Sequence, residues 1–167
     1  MTSSKTYIGI DPGKHGAVAV LHPDHSGFVW DFELKKVSNN SRCETRLDGL
    51  AFRKMISQVR GVVVLEKTHG YGTKKKMDVF SMGETRGVIL GILDGCRIPV
   101  IEVTPQQWKK HFGLQQDKVV SDRDRKEAGR QLALRLLPQF KEHLSRKRDH
   151  DRADALLIAL YAKEKGL

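Results

Sequence analysis

Short hydrophobic runs alternate with polar, turn-forming stretches in the first third of the chain. We predict strands at Tyr7–Asp11 and Ala17–Leu21, on either side of the turn "PGKHG", and a third strand over residues 28–34, "FVWDFEL". The turn "PDHSG" separates the second strand from the third. The next stretch, "VSNNSRCETR" at residues 37–46, is polar and rich in turn residues, so it predicts a loop.

The rest of the chain alternates amphipathic segments with two unbroken β-branched runs. These runs, "GVVVLE" at 61–66 and "IPVIEV" at 98–103, are typical of buried strands. Helices are predicted over residues 47–59, 77–95, 105–112, 122–137 and 151–163, and a basic loop over 141–150. The order of elements predicts a single α/β domain over residues 1–167. Its mixed five-stranded sheet, three antiparallel strands and then two parallel ones, is flanked by helices.

Four glycines recur every four residues in the predicted helix 77–95, at Gly83, Gly87, Gly91 and Gly95. Each glycine inside a helix costs about 1 kcal/mol relative to alanine, so a stripe of them is not neutral. Two interpretations stay open, tight packing of this helix on its own sheet and a close helix–helix contact in a dimer.

Charge and cysteine content narrow the class of protein. The 30 Lys and Arg against 20 Asp and Glu leave a net charge of +10, which makes a polyanion the first partner to consider, although many basic proteins are merely soluble. Cys43 and Cys96 lack disulfide or zinc spacing and favour a reducing compartment. No signal-like segment or run of 18 apolar residues is present. We expect a cytoplasmic protein (host cytoplasm if it is viral) with no membrane partner.

Four carboxylates fall where an α/β sheet commonly carries a site: Asp11, Glu66, Asp151 and Asp154. Asp11 ends a strand, but before Pro-Gly it is also an ordinary turn residue. Glu66 equally fits the polar end of a strand. Asp151 and Asp154 share a helix face, and either also fits helix capping or interaction with the helix dipole.

Taken together, the four carboxylates indicate a metal site. The last predicted helix is apolar almost all round, so its aspartates are expected to face the sheet. Clustered carboxylates raise one another's pKa unless a cation neutralises them. Oxygen ligands suit Mg²⁺ or Mn²⁺, and two such ions about 3.5–4 Å apart can clamp a phosphodiester. The pattern predicts metal-dependent phosphodiester hydrolysis.

Three motifs, "YIGIDPG", "VVLEKTHG" and "DRADALLIALYA", resemble in order and spacing the RuvC-type Holliday junction resolvases of the RNase H-like superfamily. "GETRGVILGIL", "IPVIEVTPQQWKK" and "RKEAGRQLALRLLP" resemble its phage-type branch. The resemblance implies an RNase H-like fold and a homodimeric endonuclease that cuts four-way DNA junctions by paired symmetric nicks. It implies two Mg²⁺ ions per site, replaceable by Mn²⁺. The implied catalytic metal ligands are Asp11, Glu66, Asp151 and Asp154, with His150 in reserve because some members use a histidine near this position.

The resemblance and the basic stretches together predict a DNA-binding surface. Many bacterial members carry an aromatic wedge three positions after the strand glutamate, where this chain has His69, with Tyr71 nearby. Trp108 fits either base stacking or a core anchor, and the basic stretches fit phosphate binding or a solvated face. The predicted DNA-binding residues are His69, Tyr71, Lys74, Lys75, Lys76, Lys109, Lys126, Arg146, Lys147 and Arg148.

Other functions remain as alternatives. An RNase H-like nuclease acting on branched replication DNA or RNA–DNA hybrids would use the same carboxylates. A junction-binding protein without catalysis would not need all four. A kinase domain of the actin and sugar-kinase type also begins with a strand, an aspartate and a glycine turn, but it needs two such domains, and 167 residues are too few.

Overall fold

A computed structural model describes residues 5–13, 15–39, 42–67, 76–114 and 121–167. The strands in this part of the chain are β1 (Tyr7–Asp11), β2 (Ala17–Leu21), β3 (Gly27–Asp31), β4 (Leu34–Asn39), β5 (Arg42–Leu47), β6 (Val62–Glu66) and β7 (Val100–Val103). Five of them form one sheet in the order β3-β2-β1-β6-β7. The first three strands pair antiparallel, and β6 and β7 continue the sheet in parallel. The predicted mixed five-stranded α/β sheet is confirmed.

The predicted loop at residues 37–46 is wrong. This stretch belongs to a second, two-stranded sheet in which β4 and β5 pair antiparallel from Leu34↔Leu47 to Asn39↔Arg42. Leu34 and Leu47 pack into the hydrophobic core below α1 and α2, whereas the outer pairs are polar. Main-chain pairing holds these polar strands together, which hydrophobic periodicity does not reveal. The hairpin also shortens the predicted third strand, because Phe32 and Glu33 separate β3 from β4.

The helices that the structure describes match the predicted ones within a few residues at each end. Side-chain caps fix three of the starts: Asp48 accepts hydrogen bonds from Leu50 and Ala51, Thr104 accepts one from Gln107, and Ser121 accepts one from Asp124. A short 3-10 helix, Pro138–Phe140, lies between the predicted helix 122–137 and the predicted basic loop 141–150. The α-helices are α1 (Gly49–Ile56), α2 (Lys76–Gly95), α3 (Pro105–His111), α4 (Asp122–Leu136) and α5 (His150–Lys165).

The helices cover both faces of the sheet. Ile8 and Ile10 of β1 point into a core with α1 and α2, whereas Tyr7 points into a second core with α3, α4 and α5. Side chains alternate along a strand, so Gly9 and Asp11 lie on the same face as Tyr7. None of the described helices is both long and apolar enough to cross a membrane.

The interpretation that the glycine stripe of α2 packs on its own sheet is also wrong. A Cβ added at Gly83, Gly87, Gly91 or Gly95 would have no heavy atom within 4 Å. All four glycines are exposed, and Phe80, on the same helix face, is 67% exposed. Within the described residues, this face of α2 is therefore uncovered.

Helix α5 packs very closely on β1. A Cβ at Gly9 would lie 2.2 Å from the carbonyl oxygen of Ala155 and 2.6 Å from the nitrogen of Ala159. The helix backbone therefore rests directly on the strand backbone. This contact needs glycine at position 9 because of the close approach, not because of an unusual φ angle.

We expect Gly9→Ala to lower the free energy of unfolding by about 1–3 kcal/mol, because the nearest atoms are backbone and cannot rotate away. Urea denaturation followed by circular dichroism measures the change. Gly83→Ala is the matched control, since its Cβ meets nothing and removal of a helical glycine should stabilise by up to about 1 kcal/mol. Equal effects of the two substitutions would contradict the close contact at Gly9.

Candidate active site

Asp11 and Glu66 lie side by side at the carboxyl ends of two parallel strands. β1 pairs with β6 so that Ile10 is opposite Leu65, and the next residue on each strand is a carboxylate. Both acids therefore lie on the face that α5 covers. The carboxyl ends of parallel strands are common sites of function in open α/β sheets.

Asp11 also has the turn role that its neighbours suggest. Its Oδ1 accepts a hydrogen bond of 3.0 Å from the backbone N–H of Gly13. This bond stabilises the turn and at the same time holds one carboxylate oxygen in place. The two explanations of Asp11 are therefore compatible.

Helix α5 brings Asp151 and Asp154 to the same end of the sheet. The N-cap residue is Asp149, whose buried carboxylate accepts hydrogen bonds from the backbone N–H and the guanidinium of Arg146. Asp151 lies in the first turn of the helix. Asp154 lies beyond the first turn, so neither capping nor the helix dipole explains it.

Glycine again permits the approach of a helix, this time next to Asp154. A Cβ at Gly129 of α4 would lie 3.3 Å from Asp154 Oδ1. Helix α4 therefore packs close to the carboxylate. It also carries Lys126, whose positive charge lowers the pKa of Asp154.

The carboxylates are close enough to disturb one another. Burial raises the pKa of Asp11 well above its usual value, and the charges of Glu66 and of both α5 aspartates raise it further. Burial also raises the pKa of Asp154, to about 7, in spite of nearby Lys109. The pKa of Glu66 is raised by burial as well. The cluster is therefore electrostatically costly when fully ionised.

Two residues of α3 offset part of this cost. The positive charge of Lys109 lowers the pKa of Glu66, as does the hydrogen bond that Trp108 Nε1 donates to Glu66 Oε2 at 2.7 Å. Trp108 is completely buried, as expected of a core anchor. Sequence analysis missed the bond to Glu66. The signal available was "TPQQW", a capping-box pattern that fixes where α3 begins.

The carboxylate oxygens of the cluster are of the kind that bind a divalent cation, but in this structure they do not converge on one point. Among the described residues, no group of three or more His, Cys, Asp or Glu is gathered closely enough to hold a metal ion. The donors are nevertheless carboxylate oxygens whose mutual repulsion a cation would remove. His150 lies at the margin of the cluster, with Nδ1 2.6 Å from Asp151 Oδ1 and Nε2 3.4 Å from Lys126 Nζ.

Basic side chains line the surface next to Asp151. A cavity of about 710 Å³ is bounded by the turn after β1, the end of β3 and the start of α5. His15, Lys126 and Arg148 line it. A neighbouring cavity of about 820 Å³ shares Lys126 and Arg148 and adds Lys147. Arg146 also lines the first cavity, but its guanidinium is paired with Asp149.

Several predicted DNA-binding residues are not placed by the structure. His69, Tyr71, Lys74 and Lys75 lie outside the described residues. Lys76 is the first residue of α2, and its side chain lies outside the described part. The wedge at the junction centre therefore stays a prediction.

Two solved structures of Thermus thermophilus RuvC are similar to this chain. One, in complex with a Holliday junction substrate, has a TM-score of 0.55, and the other has 0.54. Each is 17% identical and covers 96% of both chains. The chain has a RuvC-like fold. No sequence-family model and no curated protein sequence matches it. The RNase H-like architecture of the RuvC-like fold is thus confirmed, and membership of the phage-type branch stays a prediction.

We expect Asp154→Asn to stabilise the metal-free protein at pH 8 by up to about 4 kcal/mol, because the pKa rise of roughly three units corresponds to about 1.4 kcal/mol for each unit. The pKa of Asp154 is raised from 3.8 to about 7, so the folded state holds a proton that the unfolded state has lost between these values. Wild-type stability therefore falls as the pH rises through this window. Urea denaturation in EDTA from pH 4 to 8 measures the difference.

Asp94→Asn is the control for this experiment, because Asp94 is exposed near the end of α2. Its effect on stability should not change across the window. If Asp154→Asn were no more stabilising at pH 8 than at pH 4, the raised pKa of Asp154 would be refuted.

Proposed function

We propose that this chain is a structure-selective endodeoxyribonuclease that resolves four-way DNA junctions by paired symmetric nicks. The observation that carries the proposal is the acidic cluster at the ends of β1 and β6, where burial and neighbouring carboxylates raise the pKa values of Asp11 and Asp154 beside a basic surface. The RuvC-like fold supports it, since one neighbour was solved with a Holliday junction substrate. The finer likeness to phage-type resolvases rests on sequence motifs alone.

Metal dependence is part of the proposal. Asp11, Glu66, Asp151 and Asp154 would hold Mg²⁺, two ions during catalysis, and Mn²⁺ would substitute. When bound, the ions would supply an activated water and charge stabilisation for phosphodiester hydrolysis. The chain's own residues position the carboxylates. The backbone N–H of Gly13 holds Asp11 Oδ1 in place, and Gly9 allows α5 to bring Asp154 over the ends of β1 and β6.

Basic residues around the cluster would bind the DNA backbone. A phosphodiester approaching four carboxylates is repelled unless positive charge surrounds it, and Lys109 lies close enough to affect Glu66 and Asp154. Lys126, Lys147 and Arg148 line the adjoining cavities. We propose these as phosphate contacts, which position DNA without reading its sequence. Arg146 would act first as the partner of Asp149.

A homodimer is the assembly that suits two symmetric nicks, because a two-fold axis places two identical sites on opposed strands. The uncovered stripe of α2 supports such a dimer. Glycines there would allow another backbone to approach closely, and Phe80 would gain burial. We propose that α2 packs against its counterpart in a second copy.

We expect Asp11→Asn to slow cleavage of a labelled four-way junction in Mg²⁺ by at least about a hundredfold, because it removes a charged ligand from the cluster. Junction affinity measured by gel shift should be retained. Asp24→Asn is the matched control, since Asp24 is also a turn aspartate following a strand, and in the described part of the chain its carboxylate accepts hydrogen bonds from Ser26 of the same exposed turn. Wild-type cleavage by Asp11→Asn would refute the assignment.

The substrate itself is tested by offering wild-type protein a four-way junction, a flap, linear duplex and an RNA–DNA hybrid over a Mg²⁺ titration. Preferred, symmetric cleavage of the junction supports the proposal. Preferred cleavage of the hybrid or flap would replace it with the more general RNase H-like nuclease. Binding of the junction without cleavage would indicate a non-catalytic junction protein.

We expect Gly87→Arg to convert a dimer into a monomer, because a long charged side chain would separate the two α2 backbones. Light scattering measures the mass, with and without junction DNA. The fold should survive, since even the first added atom meets nothing within 4 Å among the described residues. Leu50→Arg, at a 74% exposed position on α1, is the control and should remain dimeric. A wild-type monomer under both conditions would rule out the dimer.

A further inference from the structure

The indole of Trp108 makes a contact that core packing does not require. It donates one hydrogen bond, from Nε1 to Glu66 Oε2, at 2.7 Å. The side chain is completely buried, in the core between the sheet and α3, α4 and α5. A buried N–H needs an acceptor, and here the acceptor is a carboxylate of the acidic cluster rather than a backbone carbonyl.

The end of β7 and the capping box of α3 together fix the position of Trp108. On one side, β7 ends at Val103, which pairs with Glu66 in the parallel sheet. On the other, α3 begins at once with a capping box, in which Thr104 and Gln107 exchange side-chain-to-backbone hydrogen bonds of 2.7 and 3.3 Å. Only four residues separate Val103 from the indole. The donor is therefore fixed relative to the strand that carries its acceptor.

The geometry points to a role for this bond. We propose that Trp108 is a positioning residue, which holds Glu66 Oε2 and leaves the other oxygen, Oε1, to bind a cation together with Asp11 and Asp154. The proposal rests on the proposed metal-dependent function. A hydrogen bond from an outer residue commonly orients a metal-binding side chain, and its loss typically costs 10–100-fold in metal affinity or activity.

Lys109 contributes to the same arrangement. Its Nζ lies 4.9 Å from the centre of the Trp108 ring, so the ammonium packs on the indole that orients Glu66. Trp108 and Lys109 thus place a directed N–H and a positive charge on one side of the cluster. A phenylalanine at position 108 would keep most of the packing and the cation–π contact but would lose the N–H.

The test compares Trp108→Phe with Trp30→Phe, which changes the other tryptophan of the chain at an exposed position of β3. Three quantities are measured: the Mn²⁺ dissociation constant by calorimetry, the single-turnover cleavage rate, and junction affinity in EDTA. We expect Trp108→Phe to weaken Mn²⁺ binding 10–100-fold and to slow cleavage at limiting Mn²⁺, with junction affinity within about twofold of wild type. Trp30→Phe should leave all three unchanged.

A purely structural role for Trp108 predicts a different result. Loss of packing would lower resistance to urea but would leave the Mn²⁺ affinity of the folded protein unchanged, and that outcome would overturn the proposal. If Trp108→Phe does not fold, a benzothienylalanine at position 108 replaces the indole N–H by sulfur at nearly constant shape. The same shift in Mn²⁺ affinity is then expected, and its absence would again overturn the proposal.

Fluorescence separates this inference from the proposed nuclease activity. In Trp30→Phe the only indole is Trp108, so Mn²⁺ bound at the cluster should quench its emission, and Glu66→Ala should abolish the saturable quenching. Failure of the wild type to cleave any DNA would refute the proposed function while this readout still tests the position of Trp108. No saturable quenching in Trp30→Phe would refute the proposed proximity of indole and cation.

Discussion

The backbone-to-backbone packing of α5 on β1 is the contact on which the candidate site depends. Gly9 allows it, since any side chain there would collide with the main chain at Ala155 and Ala159. Asp154 directly precedes Ala155, so the contact that seats the helix also brings a carboxylate over the ends of β1 and β6. Because both contacting groups are backbone, the separation is set by hard-sphere limits and not by adaptable side chains. A site that must position several ligands closely benefits from such rigidity.

That rigidity has an electrostatic cost. Burial raises the pKa values of Asp11, Glu66 and Asp154, and neighbouring carboxylates raise those of Asp11 and Asp154 further, so the cluster is unfavourable when it is ionised without a bound cation. The surrounding residues reduce the cost only in part: a backbone N–H reaches Asp11, and an indole N–H and the charge of Lys109 act on Glu66. Buried carboxylates with raised pKa values gain more from a bound cation than solvated carboxylates do. Strongly shifted pKa values are for this reason common at functional sites.

Local patterns in the sequence predicted most of the fold, and contacts between distant segments account for what they missed. Buried strands such as Val62–Glu66 and the apolar helix α5 carry their burial in their composition, so they were predictable. The β4–β5 hairpin was not, because its polar residues are held by main-chain pairing. The bond between Trp108 and Glu66 joins residues 42 positions apart and leaves no periodic signal. For the glycine stripe of α2, the spacing was informative, but only the structure shows that its own sheet does not cover it.

Net charge proved a poor guide to which basic residues face the site. Arg146 is tied to Asp149, Arg152 to Asp31 and Arg130 to Glu127, each by more than one hydrogen bond. Arg146 and Arg152 hold the start of α5 in place, and Arg130 also joins α4 to the segment before α5 through the carbonyl of Leu144. Lysines instead interact with the acidic cluster: the charges of Lys109 and Lys126 lower the pKa of Asp154. A flexible ammonium can follow a phosphate as it approaches, whereas a paired guanidinium would first have to give up its carboxylate. The proposed attraction of a phosphate backbone to this site therefore depends on the basic residues at its edge, Lys109 and Lys126 together with Lys147 and Arg148, more than on the overall charge of +10.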